Sequence, residues 1–209
     1  MKGCIDEIER ERKYLLDARE YFALKKAFAE KSKVILQKNY YYDTKDFEFG
    51  KRGITCRIRE KCGKFVATVK THSGRGDGIS YEHSCAVRDE YDGSFFDART
   101  SLWGVLVTER IILFADRFVE IALDRNSYLG TVDYELEIEA APEGEVRAEK
   151  LAGEIYAFLC GDSDGERRNC GMSHVNTVSK SESAPDLCCT ICGIVIVAVF
   201  QTILPRFLC

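Results

Sequence analysis

The sequence has no excess of positive charge: its 30 lysines and arginines stand against 34 aspartates and glutamates, for a formal net charge of −4. Proteins that bind nucleic acid over a broad surface are usually basic, so we expect no nucleic-acid partner, and any polyanion site must be local. No internal repeat of fixed period is visible. The 209 residues suit one domain with a large core, or a domain with an appendage.

The sequence also lacks an apolar signal segment, because residues 1–12 read MKGCIDEIERER and are charged almost throughout. Ten cysteines without such a signal favour a reduced, cytoplasmic protein over a disulfide framework. Cys189 and Cys192 form a CxxC pair with no second pair, which is weak evidence for a metal or redox site. The three histidines share no common spacing, so we expect surface positions and no zinc site.

What the sequence does contain is alternating charge, most clearly in residues 133–139, DYELEIE. With the two-residue period of a strand, Asp133, Glu135, Glu137 and Glu139 share one face and apolar side chains take the other. Four carboxylates along one face repel one another unless they meet water or cations.

A second acidic strand is predicted near the N-terminus, where Glu7, Glu9, Glu11 and Lys13 share a face. Two such strands from opposite ends of the chain could meet and bind a divalent cation, since hard cations prefer carboxylate oxygens. The alternative is an edge strand with a solvated charged face.

The matching positive charges lie in a predicted hairpin of residues 54–60 and 65–71. Arg57 and Arg59 share the polar face of its first strand, and Lys70 lies on the polar face of its second. A later predicted strand, residues 105–114, adds Arg110.

Seven or eight strands in hairpin-like succession predict a mainly β, α+β domain at residues 1–183. Helices at 18–31 and 145–160 would cover the apolar strand faces and leave the charged faces to line the tunnel of a closed antiparallel barrel. A further short helix is predicted at 94–103. A lumen with carboxylates and basic groups suits a polyphosphate, whose oxygens would be held by metal and by lysine and arginine.

The segments ERERK, NYYYDT, ITCRIRE, FVATVKT, SYEHS, IALDRNSYLG and DYELEIE, in this order, resemble the CYTH family of triphosphate tunnel metalloenzymes, particularly its small bacterial members. The resemblance covers about residues 5–180. It implies an eight-stranded tunnel barrel that hydrolyses a triphosphate with Mg²⁺ or Mn²⁺.

The resemblance also implies roles for individual residues. The implied metal ligands are Glu9, Glu11, Glu135 and Glu137. The implied phosphate-binding residues are Lys13, Arg57, Arg59, Lys70 and Arg110. Glu9, Glu11, Lys13 and Lys70 are the expected catalytic residues, and Glu82, Asp124 and Glu139 are expected in the lumen without an assigned role. Because Glu7 precedes the first motif and Glu139 follows the last, the ligand pairs have a register alternative.

Other functions fit the same tunnel. A class IV type adenylyl cyclase would make cyclic AMP from ATP, and a thiamine triphosphatase would hydrolyse a different triphosphate. A non-catalytic polyphosphate or nucleotide binder would keep the basic lining, but paired carboxylates give a pure anion binder no advantage. Homodimerisation is left open by the sequence.

Residues 187–204, LCCTICGIVIVAVFQTIL, carry no charge. As a helix this segment would be roughly 27 Å long, close to the hydrocarbon thickness of a bilayer. It is interpreted either as an anchor to the cytoplasmic face of a membrane or as a buried segment packed on the barrel or a partner.

Overall fold

A computed structural model describes residues 4–29, 32–74 and 77–161 of the chain. The apolar segment 187–204 and the CxxC pair lie outside these ranges. None of the helices within them is both long and apolar enough to cross a bilayer.

Eight strands and three helices make up the described fold. The strands are β1 Ile5–Leu16, β2 Val34–Thr44, β3 Ile54–Lys61, β4 Lys64–His72, β5 Ile79–Val87, β6 Thr100–Ala115, β7 Val119–Tyr128 and β8 Thr131–Ala140. The helices are α1 Ala18–Phe28, α2 Glu48–Lys51 and α3 Glu145–Gly161. Asp17 caps α1 by accepting a hydrogen bond from the Glu20 backbone N–H, and the Glu20 carboxylate accepts one from Asp17 in return.

The strands close into an antiparallel barrel in the order β1-β5-β4-β3-β2-β6-β7-β8, which confirms the predicted fold class. β1 closes the barrel because its first half pairs with β5 and its second half with β8. Glu9 therefore lies opposite Ser80, and Lys13 lies opposite Glu137. The acidic strands from the two ends of the chain meet side by side, as their charge pattern predicts.

A tight backbone approach occurs where β1 passes from β5 to β8. Gly78 has a positive φ of 70°, and its carbonyl accepts a hydrogen bond from the Glu11 N–H at 3.0 Å. A Cβ at this position would overlap the Glu11 carbonyl oxygen. Only glycine meets both the conformational and the steric requirement here.

The apolar core lies outside the barrel, between the strands and the helices. The larger cluster joins α1 and α3 to the outer faces of β1, β6, β7 and β8 and includes Tyr14, Tyr21, Leu24, Ile111, Leu123, Leu136, Ile138 and Ile155. A smaller cluster on β2, β3 and β4 contains Tyr42, Cys56, Ile58, Ala67 and Phe96. The helices thus leave the polar strand faces to the interior, whereas small barrels usually fill it with apolar side chains.

The predicted helix at 94–103 is wrong. Gly93–Phe95 form a single 3₁₀ turn, and β6 begins at Thr100. Long-range pairing of β6 with β2 overrides the local pattern, since Thr44 lies opposite Thr100 and the Trp103 indole donates to the Asp43 carbonyl at 3.1 Å.

Candidate active site

Lys70 joins three carboxylates in the lumen of the barrel. Its Nζ lies 2.7 Å from Glu9, 2.8 Å from Glu11 and 3.2 Å from Glu82. β5 separates β4 from β1 in the sheet, so Lys70 spans a strand to reach Glu9 and Glu11. Burial raises the pKa of Glu11, but the charges of Lys13 and Lys70 outweigh it and hold the pKa below its usual value.

A second ionic group surrounds Glu137 on β8. Its carboxylate lies 3.0 Å from Lys13 Nζ and 2.9 Å from Arg110 Nη2. Arg110 also forms a two-nitrogen contact with Asp124, with Nη2 at 2.6 Å and Nε at 2.9 Å. Burial opposes ionisation of Glu137, yet the Lys13 and Arg110 charges hold its pKa well below the usual range.

Arg57 and Arg59 on β3 form a basic pole, and neither forms an ion pair with a carboxylate in the described part of the chain. Arg59 Nε donates to the Asn39 side-chain oxygen at 2.9 Å, and Arg57 Nε is buried without a hydrogen-bond acceptor. Burial, together with the charges of Arg57 and Arg110, lowers the pKa of Arg59 to about 10. Because its surroundings disfavour the charged form, the Arg59 guanidinium would be stabilised by a bound anion.

Glu9, Glu11, Glu137 and Glu139 form the opposite, acidic pole. Glu139 lies opposite Glu11 in the β1–β8 register. Burial raises the pKa of Glu139 to about 7, with further contributions from the charges of Glu9, Glu137 and Glu11. The acidic pole therefore carries more negative charge than its lysines neutralise. A bound divalent cation would reduce this excess.

Glu135 is the next residue along the same face of β8 from Glu137. It is fully buried, accepts a hydrogen bond from Asn126 at 3.2 Å and has a second oxygen without a partner. Burial raises the pKa of Glu135 to about 8, although the charge of Lys13 opposes the rise. The β1–β8 register places Glu139 opposite Glu11 and Glu135 opposite Leu15, which favours the register alternative in which Glu139 joins Glu9 and Glu11.

The remaining predicted lumen residues fall into two groups. Glu82 contributes to the Lys70 cluster, while Asp124 holds Arg110 in place. The charge pattern did not identify the uncharged polar residues that the barrel buries, among them Gln37, Asn39, Thr68, Ser80, Thr108 and Asn126. The sequence signal for these residues is a polar side chain at alternate strand positions. One of them, Thr108, donates its hydroxyl hydrogen to the Asn126 side-chain oxygen at 2.8 Å.

Comparisons with known proteins support the same interpretation. The CYTH domain profile matches residues 7–157. A Bacillus subtilis protein named "Putative triphosphatase YjbK" is 32% identical over 162 residues, covering 69% of this chain and 85% of that protein.

Two solved structures share the fold. One, described as a "putative adenylate cyclase" from Bacillus halodurans, has a TM-score of 0.62 and 24% identity, and the match covers 84% of this chain and 96% of that one. The other, a "putative adenylyl cyclase" from Hippeastrum described as having a dominant triphosphatase activity, has a TM-score of 0.58 and 17% identity over 94% and 95% of the chains.

Proposed function

The chain belongs to the CYTH domain family, and from this premise we propose that its barrel hydrolyses a triphosphate with the aid of a divalent metal. The observation that carries the proposal is the arrangement of charge in the lumen. Glu9, Glu11 and Glu137 crowd around Lys70 and Lys13, whereas Arg57 and Arg59 form no ion pair with a carboxylate among the described residues. A metal-bound triphosphate neutralises both poles at once.

Family membership implies a divalent metal, and the chemistry of the acidic pole fits a hard one such as Mg²⁺ or Mn²⁺. Glu9, Glu11 and Glu139 would hold it, beside Glu137. Oxygens of Glu9 and Glu11 already converge on the Lys70 ammonium at 2.7 and 2.8 Å, so one cation can contact both. When bound, the metal would neutralise phosphate oxygens and polarise the attacking water.

A cation held by Glu9 and Glu11 would replace Lys70 as their counter-charge and leave its ammonium available for the substrate. In the described part of the chain, no three lumen carboxylates bring donor oxygens within 4.8 Å of one another. The acidic side chains must therefore draw together as Lys70 leaves them. We assign the freed ammonium and Lys13 to phosphate oxygens near the acidic pole.

The basic pole would bind the other end of the phosphate chain. Arg57 and Arg59 offer guanidinium groups that are not committed to carboxylates, and they suit the oxygens of a leaving diphosphate. Arg110 differs because Asp124 and Glu137 already occupy it. We therefore assign Arg110 to positioning Glu137 rather than to binding phosphate directly.

The reaction would be in-line attack of water on the terminal phosphorus. A phosphorus–oxygen bond to water forms, the bond to the bridging oxygen breaks, and the basic pole stabilises the charge on the leaving group. The natural triphosphate could be inorganic tripolyphosphate, a nucleoside triphosphate or another organic triphosphate.

Product analysis with ATP tests this reaction against cyclisation, which the descriptions of the two solved structures make the second candidate. Hydrolysis yields inorganic phosphate or pyrophosphate with a linear nucleotide. Cyclisation yields pyrophosphate and cyclic AMP, and cyclic AMP as the main product would replace the triphosphatase proposal.

A further inference from the structure

A second group of reactive side chains lies on the outer face of the barrel, where β1 meets β5. Cys4 and Cys85 are joined by a disulfide across 81 residues of sequence. Asp6 lies opposite His83 in the strand register, next to the pair of cysteines.

The disulfide departs from the expectation of a reduced chain at one pair of cysteines, while Cys56, Cys62 and Cys160 are free. The sequence pattern did not indicate which cysteines face each other. The barrel places Cys4 directly beside Cys85, with their Cα atoms 4.4 Å apart, so the two thiols can be oxidised to a disulfide without moving the strands.

His83 is oriented as metal-binding histidines are. Its Nδ1 lies 2.6 Å from an Asp6 carboxylate oxygen, and its ring stacks on Phe95 with centroids 5.4 Å apart and planes at 9°. A proton on Nδ1 donates to Asp6 and leaves the Nε2 lone pair available. Nε2 points toward the Cys85 sulfur at 3.9 Å.

The spacing of the donor atoms suits a thiophilic cation. The two sulfurs and a His83 ring nitrogen lie within 4.8 Å of one another. Tetrahedral zinc, with bonds of about 2.3 Å to sulfur and about 2.0 Å to nitrogen, places its ligand atoms roughly 3.5–3.8 Å apart. Once the disulfide is reduced, the sulfurs need only separate to that distance. Cys4 and His83 are solvent-exposed, so water can fill a fourth position.

We propose that the reduced protein binds Zn²⁺ through the Cys4 and Cys85 thiolates and His83 Nε2, and that disulfide formation excludes the metal. In the oxidising direction the two thiolates give two electrons to a peroxide, whose O–O bond breaks. With two protons, hydrogen peroxide becomes two waters as the sulfur–sulfur bond forms. A dithiol reductant reverses the change and is itself oxidised to a disulfide.

This site is separate from the proposed catalytic metal in both place and chemistry. The side chains of Ser84 and Glu82 alternate with those of His83 and Cys85 along β5, so they take the opposite, inner face. Thiolate and imidazole select a softer cation than the all-carboxylate acidic pole does. The inference therefore does not depend on the proposed reaction.

Zinc and cobalt binding by the full-length chain test the proposal. Cys188, Cys189 and Cys192 are replaced by serine in every sample, which removes the competing CxxC. The protein is reduced with a phosphine, freed of metal and titrated with Zn²⁺ against a chromogenic chelator. We expect the reduced protein to bind one more equivalent than the peroxide-oxidised protein, and Co²⁺ to give thiolate-to-metal charge-transfer absorption.

The substitutions in this test are at exposed residues, so that a change in zinc binding does not reflect a loss of folding. Asp6→Asn should weaken zinc binding about tenfold or more, because a neutral amide in place of the carboxylate no longer raises the basicity of His83. His83→Gln should weaken it further, while Cys62→Ser, at an exposed cysteine on a turn, should leave it unchanged. Equal binding by the reduced and oxidised proteins, or unchanged binding in both Asp6→Asn and His83→Gln, would overturn the proposal.

Discussion

Lys13 on β1 and Glu137 on β8 face each other in the barrel, with Lys13 Nζ 3.0 Å from a Glu137 carboxylate oxygen. In the same β1–β8 register Glu11 lies opposite Glu139. Arg110 contacts the same carboxylate at 2.9 Å, so Glu137 balances two buried cations. Its role is therefore both electrostatic and structural.

Glu137→Gln should lower metal-dependent phosphate release at least about 100-fold and lower the unfolding free energy by about 3 kcal/mol, because Lys13 and Arg110 lose their shared counter-charge. Phosphate assays and urea unfolding measure the two effects. The matched control is Glu7→Gln, since Glu7 is an exposed glutamate on β1, the strand that pairs with β8. Full turnover in Glu137→Gln would remove this residue from the mechanism.

Arg59→Gln should have opposite effects on stability and on binding. Without ligand, loss of a buried guanidinium whose pKa is lowered to about 10 should raise the unfolding free energy by about 1 kcal/mol. Binding of tripolyphosphate, measured calorimetrically, should weaken about 100-fold. Arg125→Gln is the control because Arg125 is already paired with Glu109 at 2.7 Å. A destabilised variant with normal binding would contradict the assignment of a phosphate site.

Metal affinity should depend on pH through Glu139. Its pKa is raised to about 7, so below that pH a cation must displace a proton from the carboxyl group. Mn²⁺ affinity should therefore rise up to about tenfold per unit as pH increases towards 7 and level off above it. In Glu139→Gln this part of the pH dependence should disappear. Identical slopes in the two proteins would show that Glu139 is not a ligand.

Glu135 should make the protein less stable as pH rises. Its pKa is raised from 4.5 to about 8, so between these values the folded state holds a proton that the unfolded state releases. The stabilisation is present below about pH 4.5 and is lost as pH rises through 8. Glu135→Gln should gain about 1.4 kcal/mol relative to wild type for each pH unit between 6 and 8. Thermal melts at several pH values measure this, and a constant difference would contradict it.

The alternation of charge predicted the fold because each strand needs one face for the helices and one for the lumen. The structure places five residues on the polar strand faces that this pattern predicts for them: Glu9, Glu11, Arg57, Arg59 and Lys70. Local alternation cannot, however, fix the register between strands from opposite ends of the chain. That is why Glu135 and Glu139 could not be distinguished until β8 was placed against β1.

Features that depend on long-range pairing were not predictable from the sequence. Cys4 and Cys85 are 81 residues apart and show no joint motif, yet the β1–β5 pairing makes them neighbours. Nothing in the sequence links His83 to Asp6, which is its partner in the structure. The start of β6 was missed for the same reason, because pairing with β2 sets it.

Phosphate release by the full-length protein tests the central claim most directly. Tripolyphosphate, ATP and thiamine triphosphate are each assayed with Mg²⁺, with Mn²⁺ and with chelator, beside Glu9→Gln and the control Glu7→Gln. We expect release from at least one substrate that requires metal, is lost in Glu9→Gln and persists in Glu7→Gln. Tight binding of the phosphate chain without metal-dependent release would contradict the account and make the barrel a polyphosphate receptor.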